Sequence, residues 1–391
     1  MAAYANHARR LGQTDEGVSA FIEEALFSTM TNVNFDLESL LEIALDVGKW
    51  NLRVMELLDR GHVERFGKPG PTTVFEGTKA GRGILMTGHD LVDLADLLTQ
   101  LEGTDIKVYT HGEMLPAHMY PWFRNHPNLA GHFGGAWQKQ KVEFRDFPGP
   151  IVATTNCILI PRPEYADRLF TTRVTAVPGG KRLKYNDFGP VIARALETPE
   201  LPDAEVGTSL IGFHRTVLLD AAPTIVDAVK NGKISHFFLI GGCDGAEAGR
   251  NYFSDYAHAT PKDSFILTLG CGKYRIRDYE YGELLGLPRL LDMGQCNDAY
   301  GAISVAVALA EAFNCSVNEL PLTLVISWFE QKAVAVLLTL LHLGVKGISI
   351  GPNPPPFVTP NVFKVLQEKF DLRLTGTEPL ADLEKALAHA G

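Results

Sequence analysis

Seven side chains with metal-binding donors occur in the same local setting. In "GILMTGHD", "KVYTHGE", "IVATTNC", "FFLIGGC", "FILTLGC", "LLDMGQC" and "LTLVISWFE", an apolar run suited to a buried strand ends in a donor. These donors are His89, Glu113, Cys157, Cys243, Cys271, Cys296 and Glu330. The carboxyl edge of an open α/β sheet is where ligands bind. A glycine just before a donor lets the backbone turn sharply and approach a bound group. Zinc sites are normally four-coordinate, often with close Cys-x-x-Cys pairs, and this chain has no such pair. Four thiolates spread over four strands suit an iron–sulfur centre. Soft thiolates beside hard carboxylates and an imidazole suit an iron cluster bridged by both sulfide and oxygen.

Each residue also has a plainer reading. A lone cysteine is usually a small buried hydrophobe, but four of the five here follow Gly, Asn or Gln at a turn that ends a strand-like run, whereas Cys315 also follows an Asn but not a strand. Cys315, in "EAFNCSVNEL", lies past a helical pattern and reads as packing. His89 could cap or pair within "GHDLVDL", and Glu113 could pair with His111, two residues away on one strand face. Glu330 in "SWFE" fits a capping box that opens a helix. Metal ligation is the one reading that accounts for all seven positions together.

Such donors need strands to carry them and helices to cover the strands. Residues 1–70 read as helical: "VSAFIEEALFSTM" and "LESLLEIALDVGKWNLRVMELLDRGH" place apolar residues three and four apart. "FGKPGPTT" breaks that pattern. Beyond it, short apolar runs alternate with helical patterns, as in "GILMTGHD" then "LVDLADLLTQLEG". That alternation argues for parallel α/β architecture. The stretch is too long for one open sheet, and "LLDAAPTIVDAVKNGKIS" begins a fresh unit. The expected organisation is a helical segment over 1–70 and two Rossmann-like parallel α/β domains over 71–221 and 222–391. The metal cluster would lie at their interface.

Composition narrows the function. A net charge of −10 with no Lys/Arg cluster argues against nucleic acid or an anionic membrane as partner. The most apolar segment, "AVAVLLTLLHLGVKGISIG", is interrupted by His342, Gly344 and Lys346, and reads as a buried helix running into a buried strand. The N-terminus lacks the apolar core of a signal peptide. Five cysteines in a chain of 391 residues do not make a disulfide scaffold. A cytoplasmic location is expected.

The strings "GHDL", "VYTHGEMLPAH", "TTNC", "GGCDG", "LGCGKYR", "GQCNDAYGA" and "SWFEQKAV" resemble, in order, the hybrid cluster protein family, also called hydroxylamine reductase or prismane proteins. The resemblance takes in nearly the whole chain, including "AAYANHARRLG" at its start. It implies that the seven donors hold a hybrid [4Fe-2O-2S] cluster and that Cys243 carries an extra sulfur as a persulfide. Lys332, in "FEQK", matches a lysine beside the cluster and could donate protons or stabilise developing negative charge. Glu113, Lys332 and Cys243 are thus the implied catalytic residues, with Glu113 shifting or detaching on reduction. The family opens with a cysteine motif for a second, ordinary iron–sulfur cluster. This chain begins after it, so no second cluster is expected.

The resemblance implies reduction of hydroxylamine to ammonia and water, or of nitric oxide to nitrous oxide. The electron donor would be a protein of the ferredoxin or flavin/iron–sulfur reductase type, and a homodimer is an expected assembly. Two rival readings stay open. One is a nickel–iron–sulfur enzyme like carbon monoxide dehydrogenase, against which the two glutamates argue. The other is a non-catalytic nitric oxide sensor or S-nitrosating protein.

Overall fold

The computed structural model describes residues 1–31, 35–327, 331–355 and 358–389. Two compact units are present: Met1–Arg65 with His214–Asp244 and Gly249–Gly391, and Phe66–Phe213 with Gly245–Ala248.

The unit built on Phe66–Phe213 holds an eight-stranded sheet. Its strands are β1 (Thr72–Thr78), β2 (Gly83–Thr87), β3 (Lys107–His111), β4 (Leu129–His132), β5 (Ile151–Ala153), β6 (Leu169–Thr171), β7 (Lys181–Arg182) and β8 (Ala204–Ile211). Their spatial order is β7-β6-β5-β2-β3-β4-β1-β8. Every neighbour pair is parallel except β1 with β8. The run β4-β3-β2-β5-β6-β7 is the doubly wound order 3-2-1-4-5-6, in which the chain reverses direction across the sheet between its first and fourth strands. Central strands covered on both faces are apolar throughout: all of "GILMT" in β2 is buried. Helix α4 (Leu91–Gln100) follows β2, opened by Asp90, whose carboxylate accepts the Val92 and Asp93 N–H groups at 3.0 and 3.1 Å. Leu85, Tyr109, Phe144, Phe147, Ile151 and Tyr165 form part of the core beneath.

The other unit repeats the scheme. Its strands are β9 (His236–Gly242), β10 (Ser264–Thr268), β13 (Leu290–Asp292), β14 (Leu322–Ser327), β15 (Ser349–Gly351) and β16 (Arg373–Leu374), with β11 (Glu283–Leu284) and β12 (Leu287–Pro288) as a separate hairpin. The order β13-β10-β9-β14-β15-β16 is again 3-2-1-4-5-6, and all pairs are parallel. The most apolar segment of the sequence becomes the helix Gln331–His342 and then strand β15.

Helices α1 (Ala2–Arg10), α2 (Glu16–Thr31) and α3 (Leu37–Phe66) account for the N-terminal helical pattern. Buried polar bonds tie α3 into its unit. Asn51 donates to Thr339 Oγ1 at 3.1 Å, and Thr339 in turn donates to Gly48 O at 3.0 Å. Asp59 accepts from His214 Nε2 at 2.7 Å. Among the described residues, no helix is long and apolar enough to cross a membrane.

Candidate metal centre

In the unit built on Phe66–Phe213, the three expected donors stand at the carboxyl ends of three adjacent strands: Cys157 after β5, His89 after β2 and Glu113 after β3. β5 and β2 flank the point where strand order reverses, the place this fold reserves for ligands. Gly88 makes the turn into His89. Its φ is +111°, and a Cβ there would sit 2.3 Å from Thr154 Oγ1. His89 and Glu113 are both buried, with Nε2 and Oε2 3.9 Å apart.

The other imidazole nitrogen of His89 is engaged. Thr155 Oγ1 accepts the His89 backbone N–H at 3.0 Å and bonds Nδ1 at 2.8 Å. A partner on one ring nitrogen sets the tautomer and orients the other as a ligand. Glu113 does not pair with His111. The imidazole of His111 instead bonds Thr87 Oγ1 at 3.0 Å and Glu143 Oε2 at 2.8 Å. Both partners come from other segments, and neighbouring residues on a strand end did not decide the pairing.

Cys157 is half-buried and has φ of +64°, in the left-handed region that non-glycine residues avoid. Gln140 clamps that turn: its amide donates to Cys157 O at 2.6 Å and accepts the Leu159 N–H at 3.1 Å. Asn156 Nδ2 donates to Cys157 Sγ at 3.4 Å. Strained backbone held by surrounding bonds is characteristic of functional positions.

In the other unit, Cys243, Cys271 and Cys296 follow β9, β10 and β13, again three adjacent parallel strands. Their loops pack backbone to backbone. Gly242 has φ of +113°, and a Cβ there would lie 1.9 Å from Ser327 O. Cys243 N–H donates to Ser327 O at 3.2 Å and Asp244 N–H to Ser327 Oγ at 2.9 Å. Buried Lys273, just past Cys271, donates to Asp292 Oδ1 at 2.7 Å and to Gly294 O at 2.8 Å, locking the Cys271 turn to the Cys296 turn. Arg275 reaches the buried Asp244 carboxylate. Tyr4 OH lies 3.1 Å from Cys296 Sγ.

Lys332 opens the helix Gln331–His342 and is 6% exposed. Its Nζ has no hydrogen-bond partner among the described residues and stands 5.2 Å from the centroid of the Tyr4 ring. Glu330, the seventh donor, lies outside the described residues. Cys315 is half-buried in the turn after the helix Ala299–Phe313, its N–H bonded to Ala310 O at 3.0 Å.

Thr155, Gln140, Lys273, Asp292, Arg275 and Tyr4 also act on the donor turns and were not among the residues expected from sequence. Thr155, Lys273, Arg275 and Asp292 sit within or beside the cysteine strings, where a buried loop needs polar partners. Gln140 carries no local signal, because it acts on a turn distant in sequence, and Tyr4, although inside "AAYANHARRLG", acts on a turn 292 residues away.

Comparison with known proteins gives the lineage. A protein named hydroxylamine reductase from Moorella thermoacetica is 60% identical over 387 residues, covering 99% of this chain and 90% of that protein. One of the same name from Rhodospirillum rubrum is 55% identical over 378 residues, covering 96% and 69%. Carbon monoxide dehydrogenase IV from Carboxydothermus hydrogenoformans superposes with a TM-score of 0.75 over 100% of this chain and 72% of that one, at 16% identity, which is a likeness of fold. Residues 1–383 match the model of the Prismane/CO dehydrogenase family, and the chain belongs to that family.

Proposed function

We propose that this protein is an oxidoreductase that converts hydroxylamine to ammonia and water, NH2OH + 2 e⁻ + 2 H⁺ → NH3 + H2O. The observation that carries this reading is the 60% identity to a hydroxylamine reductase across nearly the full length of both chains. The protein uses an iron–sulfur centre, a small-molecule substrate and an external electron donor.

The finer assignment is that His89, Glu113, Cys157, Cys243, Cys271, Cys296 and Glu330 hold a hybrid [4Fe-2O-2S] cluster, with Cys243 as a persulfide. The donor chemistry fits such a group. Three thiols stand at adjacent strand ends in one unit. In the other, a buried imidazole has its Nδ1 engaged by Thr155 and its Nε2 3.9 Å from a buried carboxylate. When bound, the cluster supplies the electrons for cleaving the N–O bond.

The protein's own groups do the rest. Thr155 holds the His89 ring, and Gln140 and Asn156 hold the Cys157 turn. Lys332 carries a proton at Nζ, buried from solvent, to give to nitrogen or to the departing oxygen. Its positive charge also stabilises negative charge on the reduced nitrogen species. Electrons arrive from a ferredoxin-type or flavin/iron–sulfur reductase-type donor.

The test is anaerobic purification of the full chain. Iron, sulfide and nickel analysis and an EPR spectrum are followed by hydroxylamine turnover with reduced viologen. Iron and sulfide without nickel, with one ammonia formed per hydroxylamine consumed, is expected. An iron-loaded protein that leaves hydroxylamine untouched would overturn the reading, and stoichiometric nickel would redirect it to carbon monoxide chemistry.

A further inference from the structure

Helix α1 buries Tyr4, His7 and Ala8, positions i, i+3 and i+4 that form one helix face. The Tyr4 ring is wholly buried, with its hydroxyl 3.1 Å from Cys296 Sγ. The same ring has the Lys332 ammonium 5.2 Å from its centroid. One side chain therefore touches both an expected metal ligand and the expected proton donor.

Each contact has a distinct physical consequence. A buried phenol O–H needs an acceptor. A neutral thiol is a weak one, whereas a thiolate accepts a charge-assisted bond. Hydrogen bonds to cluster sulfurs are among the factors that set a cluster's reduction potential; drawing electron density from the sulfur favours the reduced state. The ring face attracts the ammonium through its quadrupole. This contact holds the cation while using none of its N–H donors, consistent with the absence of a hydrogen-bond partner for Nζ among the described residues.

We propose that Tyr4 is a positioning residue of the metal centre: its hydroxyl donates to Cys296 Sγ and raises the reduction potential, and its ring holds the Lys332 ammonium. The assignment rests on the metal-centre reading above. In the full chain, Tyr4→Phe removes the hydroxyl and keeps the ring. The one-electron reduction equilibrium should fall about tenfold, a drop of ~59 mV, with iron content and melting temperature unchanged. Site-specific 3-fluorotyrosine at position 4, a stronger donor, should move the potential the opposite way. Tyr4→Leu removes the ring as well. It should lower kcat at least about tenfold below Tyr4→Phe with KM unchanged, as expected for a desolvated cation–π contact.

A Tyr4→Phe protein with wild-type potential and EPR spectrum would overturn the tuning role. Loss of iron from that variant would overturn it too, by showing a structural strut. Equal turnover in Tyr4→Leu and Tyr4→Phe would remove the role of the ring. If the iron-loaded wild type does not reduce hydroxylamine, the proposed function fails, and the comparison of potentials still tests Tyr4.

Discussion

The Nε2 of His89 and the Oε2 of Glu113 lie 3.9 Å apart, both side chains buried, at the ends of neighbouring parallel strands. Thr155, from the strand end on the other side of β2, fixes the imidazole by its Nδ1. Removing a hydrogen-bond partner of a metal-binding histidine typically costs 10–100-fold in metal affinity. Thr155→Val, nearly isosteric, should therefore lower iron incorporation by about that factor. Thr155→Ser, which keeps the hydroxyl, should retain it. Iron per chain after reconstitution at limiting iron reads the difference.

His111 and Glu143 provide a contrast. Their bond is 2.8 Å long and involves none of the expected donors, and Glu143 also accepts the Gly135 N–H at 3.1 Å. Glu143→Ala should cost about 1–3 kcal/mol of apoprotein stability by leaving a buried imidazole unsatisfied. The cluster's EPR spectrum should be unaltered. Glu113→Gln should show the reverse pattern: lost or altered spectrum, little change in the urea midpoint.

Lys273 and Asp292 form a buried pair at 2.7 Å between the turns that carry Cys271 and Cys296. Breaking a buried pair by removing one partner costs about 3–5 kcal/mol. Lys273→Met should thus destabilise the apoprotein by that order in urea denaturation. Lys273→Met/Asp292→Leu should recover part of the loss, since neither charge is then left alone.

Acid should destabilise the protein through buried histidines. Burial, helped by the charge of His7, pushes His62 down to about 3 from an ordinary 6.5, and burial pushes His118 and His236 down to about 4. Below the unfolded value the unfolded chain takes up protons that the folded chain refuses, so stability falls as pH drops from about 6.5 towards 4. Each histidine contributes a slope of about 1.4 kcal/mol per pH unit in that window. Above pH 7 these groups are neutral in both states and contribute no slope. Urea midpoints at pH 7.5, 6 and 5 should show the decline, and His62→Gln should flatten it.

Cys315 should prove irrelevant to the metal. Its setting after the helix Ala299–Phe313 is a turn stabilised by backbone bonds. Cys315→Ser should keep iron content and EPR spectrum at wild-type values and shift stability by about 1 kcal/mol or less.

Much of this protein was determined by local pattern. Apolar runs such as "GILMT" and "SFILT" make strands buried on both faces, and alternation with helical periodicity demands parallel sheets. A turn with a donor after each run places that donor at a carboxyl edge, because a parallel strand delivers whatever follows it there. His89, Glu113, Cys157, Cys243, Cys271 and Cys296 occupy such positions for that reason. The antiparallel edge strand β8, mostly exposed, has no comparable apolar run and was not evident.

Tertiary structure decided the partners. Strand order sets β5 beside β2, and Thr155 thereby reaches His89 across 66 residues. It brings Glu143 to His111 across 32 residues, in place of the neighbour that local spacing offered. Tyr4 meets Cys296 across 292 residues because α1 buries one face within its unit. Periodicity records which face of an element is apolar. It does not record which other element covers that face, and the hydrogen bonds around the donors depend on that second choice.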